Sequence, residues 1–157
     1  MQITRQADYA LRAMSYLALL EPNRRAATSQ IAEEQHIPPS FLAKIISQLS
    51  IAGLIHTSRG ARGGVSLARD PSAISILDVV EAIDGPIFLN MCTDGDSSDC
   101  PFGENCMLHP LWCEAQSELV AKLRKATFAQ VVSQKTAAMQ KQMASVIFEP
   151  EKIASVN

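Results

Sequence analysis

Several common signatures are missing from this chain. It has no apolar run of about 18 residues, the length a membrane-spanning helix needs. Its first residues lack the basic, then apolar, then small-residue order of a secretory leader. These two absences point to a cytoplasmic protein with no membrane partner. Thiols stay reduced in that compartment, which argues against a disulfide framework for the four cysteines. No internal repeat or low-complexity tract occurs. Nor is there a charge excess: the net charge of −2 argues nothing for nucleic acid on its own.

What is present is unevenly distributed. Residues 1–70 carry eight Lys/Arg against five acids, while the remainder carries six bases and eleven acids. With 157 residues, 47% of them hydrophobic, the chain can bury one sizeable core and reads as one domain with an extension.

Apolar residues recur at helical spacing from Ala7 to Leu20 (Ala10, Leu11, Met14, Leu17, Ala18), which predicts an amphipathic helix ended by Pro22-Asn23. Thr28 or Ser29 is placed to cap a short helix through Gln35, with Ile31 and Ala32 on its apolar face. His36-Ile37 forms a turn. Pro38 and Pro39 open a helix over 40–52, where the first N–H groups have no intrahelical partner to lose, and Gly53 suits its end. Strands are expected at Leu54–Ser58 and Val65–Ala68, joined by the glycine-rich tip Arg59-Gly60-Ala61-Arg62-Gly63-Gly64. Ser75 caps a helix with Ile76, Val79, Val80 and Ile83 inward, ended by Gly85-Pro86. Pro110 starts a long helix through Ser133, with Leu111, Leu119, Leu123, Ala126 and Val131 as seam positions. The last twenty-odd residues are helix-compatible but weakly patterned.

This order is that of a winged helix-turn-helix: a mainly α fold with a small β wing. The 40–52 helix is the expected major-groove reader. Ser40, Lys44, Ser47 and Gln48 share one face by i, i+3 and i+4 spacing, and that face carries no acid. Arg59 and Arg62 at the wing tip would reach phosphates or the minor groove. The plainer alternative is a merely solvated face and a merely tight turn.

The four cysteines all lie between 92 and 113. Cys92, Cys100 and Cys106 sit among Asp94, Asp96, Ser97, Ser98, Asp99 and Glu104, where nothing apolar would shelter a buried thiol. Soft thiolates select zinc, Cu(I) or iron–sulfur clusters. Zinc sites usually show close Cys pairs, and the gaps here of seven, five and six residues supply none, so a cluster is favoured over zinc. Pro110 brings a positive helix end beside the thiolates, and His109 and Cys113 stand i, i+4 across that helix start.

These ordered features resemble the Rrf-type family of winged-helix regulators, which contains IscR-, NsrR- and RirA-like proteins. The resemblance rests on the run Met1 to Arg12, on Ile37-Pro38-Pro39-Ser40-Phe41-Leu42, and on Leu49 with Ala52-Gly53-Leu54-Ile55. It continues through Arg59-Gly60, Gly63-Gly64-Val65-Ser66-Leu67-Ala68, and Ile76 to Gly85. Val65 stands where an aromatic is commoner.

The resemblance implies a homodimer, with cross-packed long helices, on a pseudo-palindromic double-stranded operator. It implies no enzyme but a regulator, a repressor more than an activator, responding to iron or cluster status, nitric oxide or redox stress. It further implies an iron–sulfur cluster on Cys92, Cys100 and Cys106, with 4Fe–4S favoured over 2Fe–2S. Three fourth ligands compete: Asp8 of the partner subunit, His109, and, behind them, Cys113. Asp8 has a plainer alternative as a surface carboxylate paired with Arg5 or Arg12. The expected organisation is a DNA-binding domain at 1–85, a cluster loop at 86–109, a dimerisation helix at 110–134 and an extension at 135–157. The rivals are an iron–sulfur electron carrier that does not bind DNA, and a regulator whose loop holds structural zinc or bare thiols.

Overall fold

A computed structural model describes residues 3–22, 24–60, 63–93, 102 and 105–147, with side chains as far as residue 138. The elements in order are α1 (Arg5–Leu19), α2 (Thr28–Glu34), α3 (Pro39–Ile51), β1 (Ile55–Ser58) and β2 (Gly64–Leu67). A 3-10 turn (Pro71–Ala73), α4 (Ile76–Asp84), a second 3-10 turn (Met91–Thr93), α5 (His109–Lys125) and α6 (Phe128–Ile147) follow.

Thr4 caps α1 by accepting the Ala7 N–H, and the period-3.6 stripe Ala10, Met14 and Leu17 turns inward. Neither Thr28 nor Ser29 caps α2: Ala27 holds that position without a side-chain bond, and Thr28 is the first helical residue. Pro39 opens α3, whose buried face is Leu42, Ile45 and Leu49. Gly53 follows its end at φ +68°, a left-handed conformation that costs other residues dearly. One core joins α1, α2, α3 and the wing through Met14, Ile31, Leu42, Ile45, Leu49, Leu54, Ile55 and Val65.

β1 and β2 pair antiparallel, with Ile55 opposite Leu67 and Ser58 opposite Gly64. The wing is also tied back to the chain before α2: Val65 N donates to the Ala26 carbonyl at 2.8 Å, and Ala26 N to the Val65 carbonyl at 3.0 Å. That tie explains Gly64. A Cβ there would lie 2.7 Å from the Ala26 oxygen, and φ is +141°. Val65 itself is buried, so the smaller side chain still anchors the wing in the core.

Ser75 and Asp78 form a reciprocal capping box at the start of α4. Leu77, Val79 and Val80 are its buried residues, while Ile76 and Ile83 are half-buried against the core. Leu77 and Val80 pack with Ile87 against Leu119, Val120 and Leu123 of α5.

The single long helix expected from Pro110 to Ser133 is two helices. The break at Ala126-Thr127 is local and tertiary at once. Gln130 N donates to Thr127 Oγ1 and Thr127 N to Gln130 Oε1, a second capping box. Phe128 is fully buried in the main core, and its N–H bonds the Ile74 carbonyl while Ile76 N bonds that of Ala126. Two of the expected seam residues, Leu119 and Leu123, are committed within the chain to α4. Leu111 is 56% exposed. The weakly patterned segment after 133 is helical as far as Ile147.

Candidate nucleic-acid interface and thiol loop

Burial of Leu42, Ile45 and Leu49 dictates what α3 shows to solvent. Ser40, Lys44 and Ser47 are exposed, at i, i+4 and i+7, and Ile51 extends the stripe at i+11 with 86% of its surface exposed. Gln48 is half-buried: its Oε1 accepts a hydrogen bond from Nε2 of Gln6 on α1. Ser47 and Arg59 line one open groove of about 650 Å³ between α3 and the wing, whose walls also include Ser50, Thr57 and Ser58. α3 and the wing tip are therefore two sides of one surface. Arg62 lies outside the described residues. The surface carries hydroxyls, an ammonium and a guanidinium, the donors that suit phosphates and base edges.

α1 buttresses this surface. Its first turn is pinned to the end of α4, because Thr4 N donates to Asp84 Oδ2 at 3.0 Å and Thr4 Oγ1 to Oδ1 at 2.6 Å. Tyr9 packs edge-on against Phe41, with ring centroids 6.0 Å apart, and Arg12 lies over the Tyr9 ring. Asp8 is paired with Arg12 in its own chain at 2.7 Å, both side chains about half exposed.

The thiol segment is held at both ends. On the entry side, Gln116 of α5 clamps the backbone: Leu89 N donates to its Oε1 at 2.9 Å, and its Nε2 donates to the Ile87 carbonyl. Asn90 and Thr93 then close the turn that carries Cys92, with Thr93 Oγ1 donating to the Asn90 carbonyl at 2.7 Å. On the exit side, His109 N donates to the Cys106 carbonyl at 3.1 Å as α5 begins. Cys92 and Cys106 are half-buried free thiols, and Cys100 lies outside the described residues. Cys113 is exposed, with Sγ 3.6 Å from His109 Nε2. Among the described residues no three His, Cys, Asp or Glu side chains converge as a metal site. No helix among them is long and apolar enough to cross a membrane.

Sequence reading missed Gln6, Gln116 and the Thr127–Gln130 box. The last had a local signal, the T-x-x-Q spacing of a capping box. The two glutamines had none, since each acts on a residue distant in sequence.

Comparison with known proteins agrees with this geometry. Residues 3–134 match the family profile described as "Rrf2: Iron-dependent Transcriptional regulator". The transcriptional regulator NsrR of Shouchella clausii is 31% identical over 132 residues, covering 84% of this chain and 89% of that protein. The regulator IscR of Vibrio cholerae is 33% identical over 132 residues, covering 84% and 75%. Among solved structures, CymR, the global cysteine regulator of B. subtilis, superposes with a TM-score of 0.71 at 24% identity, over 85% of this chain and 98% of that one.

Proposed function

The chain belongs to the Rrf2 family of transcriptional regulators, and on that premise we propose a homodimeric repressor whose hold on a two-part operator is set by an iron–sulfur cluster in the 86–109 segment. The observation that carries the DNA half is the groove shared by Ser47 and Arg59, which makes α3 and the wing one cationic, hydroxyl-lined surface. Ser40, Lys44, Ser47 and Gln48 read base edges in the major groove, while Arg59 and Arg62 take phosphates. Regulators, not enzymes, are what this family's members are.

The donor set fits a cluster. Cys92 and Cys106 are free, half-buried thiols on the two tied ends of one segment, and Cys100 falls between them in sequence. His109 is the fourth ligand in this reading, because its own N–H bonds the Cys106 carbonyl and keeps it next to that thiol's backbone. Asp8 of a second copy and Cys113 are the competitors, and Asp8 would first have to leave Arg12. A bound cluster would supply iron reactive toward nitric oxide and oxygen and subject to loss when iron is scarce.

The chain's own residues carry that loss to DNA. Gln116 ties the loop entry to α5, and α5 packs on α4 through Leu119, Val120 and Leu123. Asp84, at the end of α4, holds the capping Thr4 of α1, and α1 holds α3 through Gln6. A small shift of α5 would thus move both reading heads of the dimer relative to a fixed half-site spacing, which forfeits specific affinity.

Anaerobic purification tests the cluster. The expected product is coloured, with the visible absorbance of thiolate-bound iron, and native mass spectrometry counts both iron and acid-labile sulfide. Colourless protein, with zinc or no metal in the spectrum, sinks the cluster and leaves a regulator with structural zinc or bare thiols.

A further inference from the structure

Ile51 ends α3 with 86% of its surface exposed, and among the described large apolar residues only Met107 is more exposed. Helical geometry puts it there: Ile51 stands two residues past the buried Leu49, about 200° round the axis. Its side chain joins neither apolar cluster of the molecule. A lone isoleucine on an ordinary surface would need no explanation. This one lines the open groove between α3 and the wing, with Ser47 one turn before it and Arg59 on the wing tip.

The rest of that groove indicates its occupant. Ser50, Thr57 and Ser58 add hydroxyls to the Arg59 guanidinium, and none of the described residues that line it is acidic. Hydrogen-bond donors and one cation, with no carboxylate to repel phosphate, suit a DNA duplex. Ile51 therefore lies on the surface already assigned to the operator, and the inference rests on that reading of α3.

A duplex offers little apolar surface in its major groove. Base edges there present donors and acceptors, and the chief exception is the C5-methyl group of thymine. Pressing Ile51 onto a phosphate would desolvate a charge with no hydrogen bond in return. Pressing it onto that methyl removes two apolar surfaces from water at once. The same thymine edge carries the O4 acceptor, and Ser47 offers a hydroxyl four residues before Ile51 on one helix face. We infer that Ile51 is a specificity-determining residue, which takes the methyl group of one thymine in each half-site.

Deoxyuridine tests this, because it is thymidine without the methyl and keeps every hydrogen-bonding group. The full-length wild type first selects its motif from a random pool of duplex DNA. Each thymine of that motif is then replaced singly by deoxyuracil, and affinities are measured for the wild type, Ile51→Val and Ile51→Ala. The wild type is expected to lose about fourfold at one thymine per half-site, the worth of one buried methyl group. Ile51→Ala is expected to bind thymine and uracil equally well at that position while its preferences elsewhere match the wild type. Those unchanged preferences also show that the variant is folded. Ile51→Val, which keeps a branched alkyl group, should retain most of the discrimination. Three results would overturn the inference alone: no thymine at which the methyl matters, a methyl effect that survives in Ile51→Ala, or an Ile51→Ala that weakens all duplexes by one common factor. If the wild type enriches no motif, the assignment of α3 to DNA falls and takes this inference with it.

Discussion

Lys44 and Arg59 make the sharpest test at the scale of single residues, because they carry the same charge on different elements: Lys44 is exposed on α3, and Arg59 lines the groove between α3 and the wing. Lys44 lies on the exposed stripe of α3, so Lys44→Ala should cost about 1–3 kcal/mol at one base pair per half-site and leave the others unchanged. Arg59→Ala should instead weaken binding to every sequence, and the slope of log affinity against log salt should fall by about 1. Fluorescence anisotropy across a salt series separates the two. If both variants behave alike, the division of labour between helix and wing is wrong. The exposed face of α3 was legible in the sequence because three buried residues at helical spacing leave little choice about what faces out. The engagement of Gln48 was not, since its partner lies 42 residues away with no periodic relation to it.

Among the elements, the boundary between α5 and α6 departs most from expectation. Apolar residues continue at near-helical spacing from Leu111 to Val131, so local pattern alone reads one helix. The break is made by Thr127 and Gln130 capping a new helix, and by Phe128 buried in the main core instead of on a seam. Thr127→Ala decides between the two descriptions. In an unbroken helix the substitution would be neutral or stabilising, since alanine is the best helix former. With a cap lost it should cost about 1 kcal/mol, visible as a lower urea midpoint at unchanged slope. The double glycine of the wing shows the reverse case. Sequence marked it as a turn, and the close approach of Ala26 to Gly64 supplies the reason.

For the whole molecule, the question is whether the thiol segment is a prop or a sensor. The main core is complete without it: among the described residues, no residue between 88 and 127 belongs to that buried cluster. Cys106→Ala should therefore abolish the visible spectrum while far-ultraviolet circular dichroism and the sedimentation of a dimer stay as in the wild type. Loss of fold in that variant would make the site structural and end the sensing reading. The sequence by itself determined the winged helix-turn-helix, because its elements are set by short-range devices: the period of apolar residues, prolines at helix starts, the Ser75 cap and glycines at turns. It also set the donor chemistry of the loop, since thiols carry their ligand preference wherever they stand. Only the tertiary structure decided where the C-terminal helix breaks, that Gln116 binds the loop to α5, that Asp84 holds the start of α1, and that Gln6 holds Gln48. Each of these is one polar or buried contact between residues distant along the chain, and such a contact leaves no period in the sequence to read.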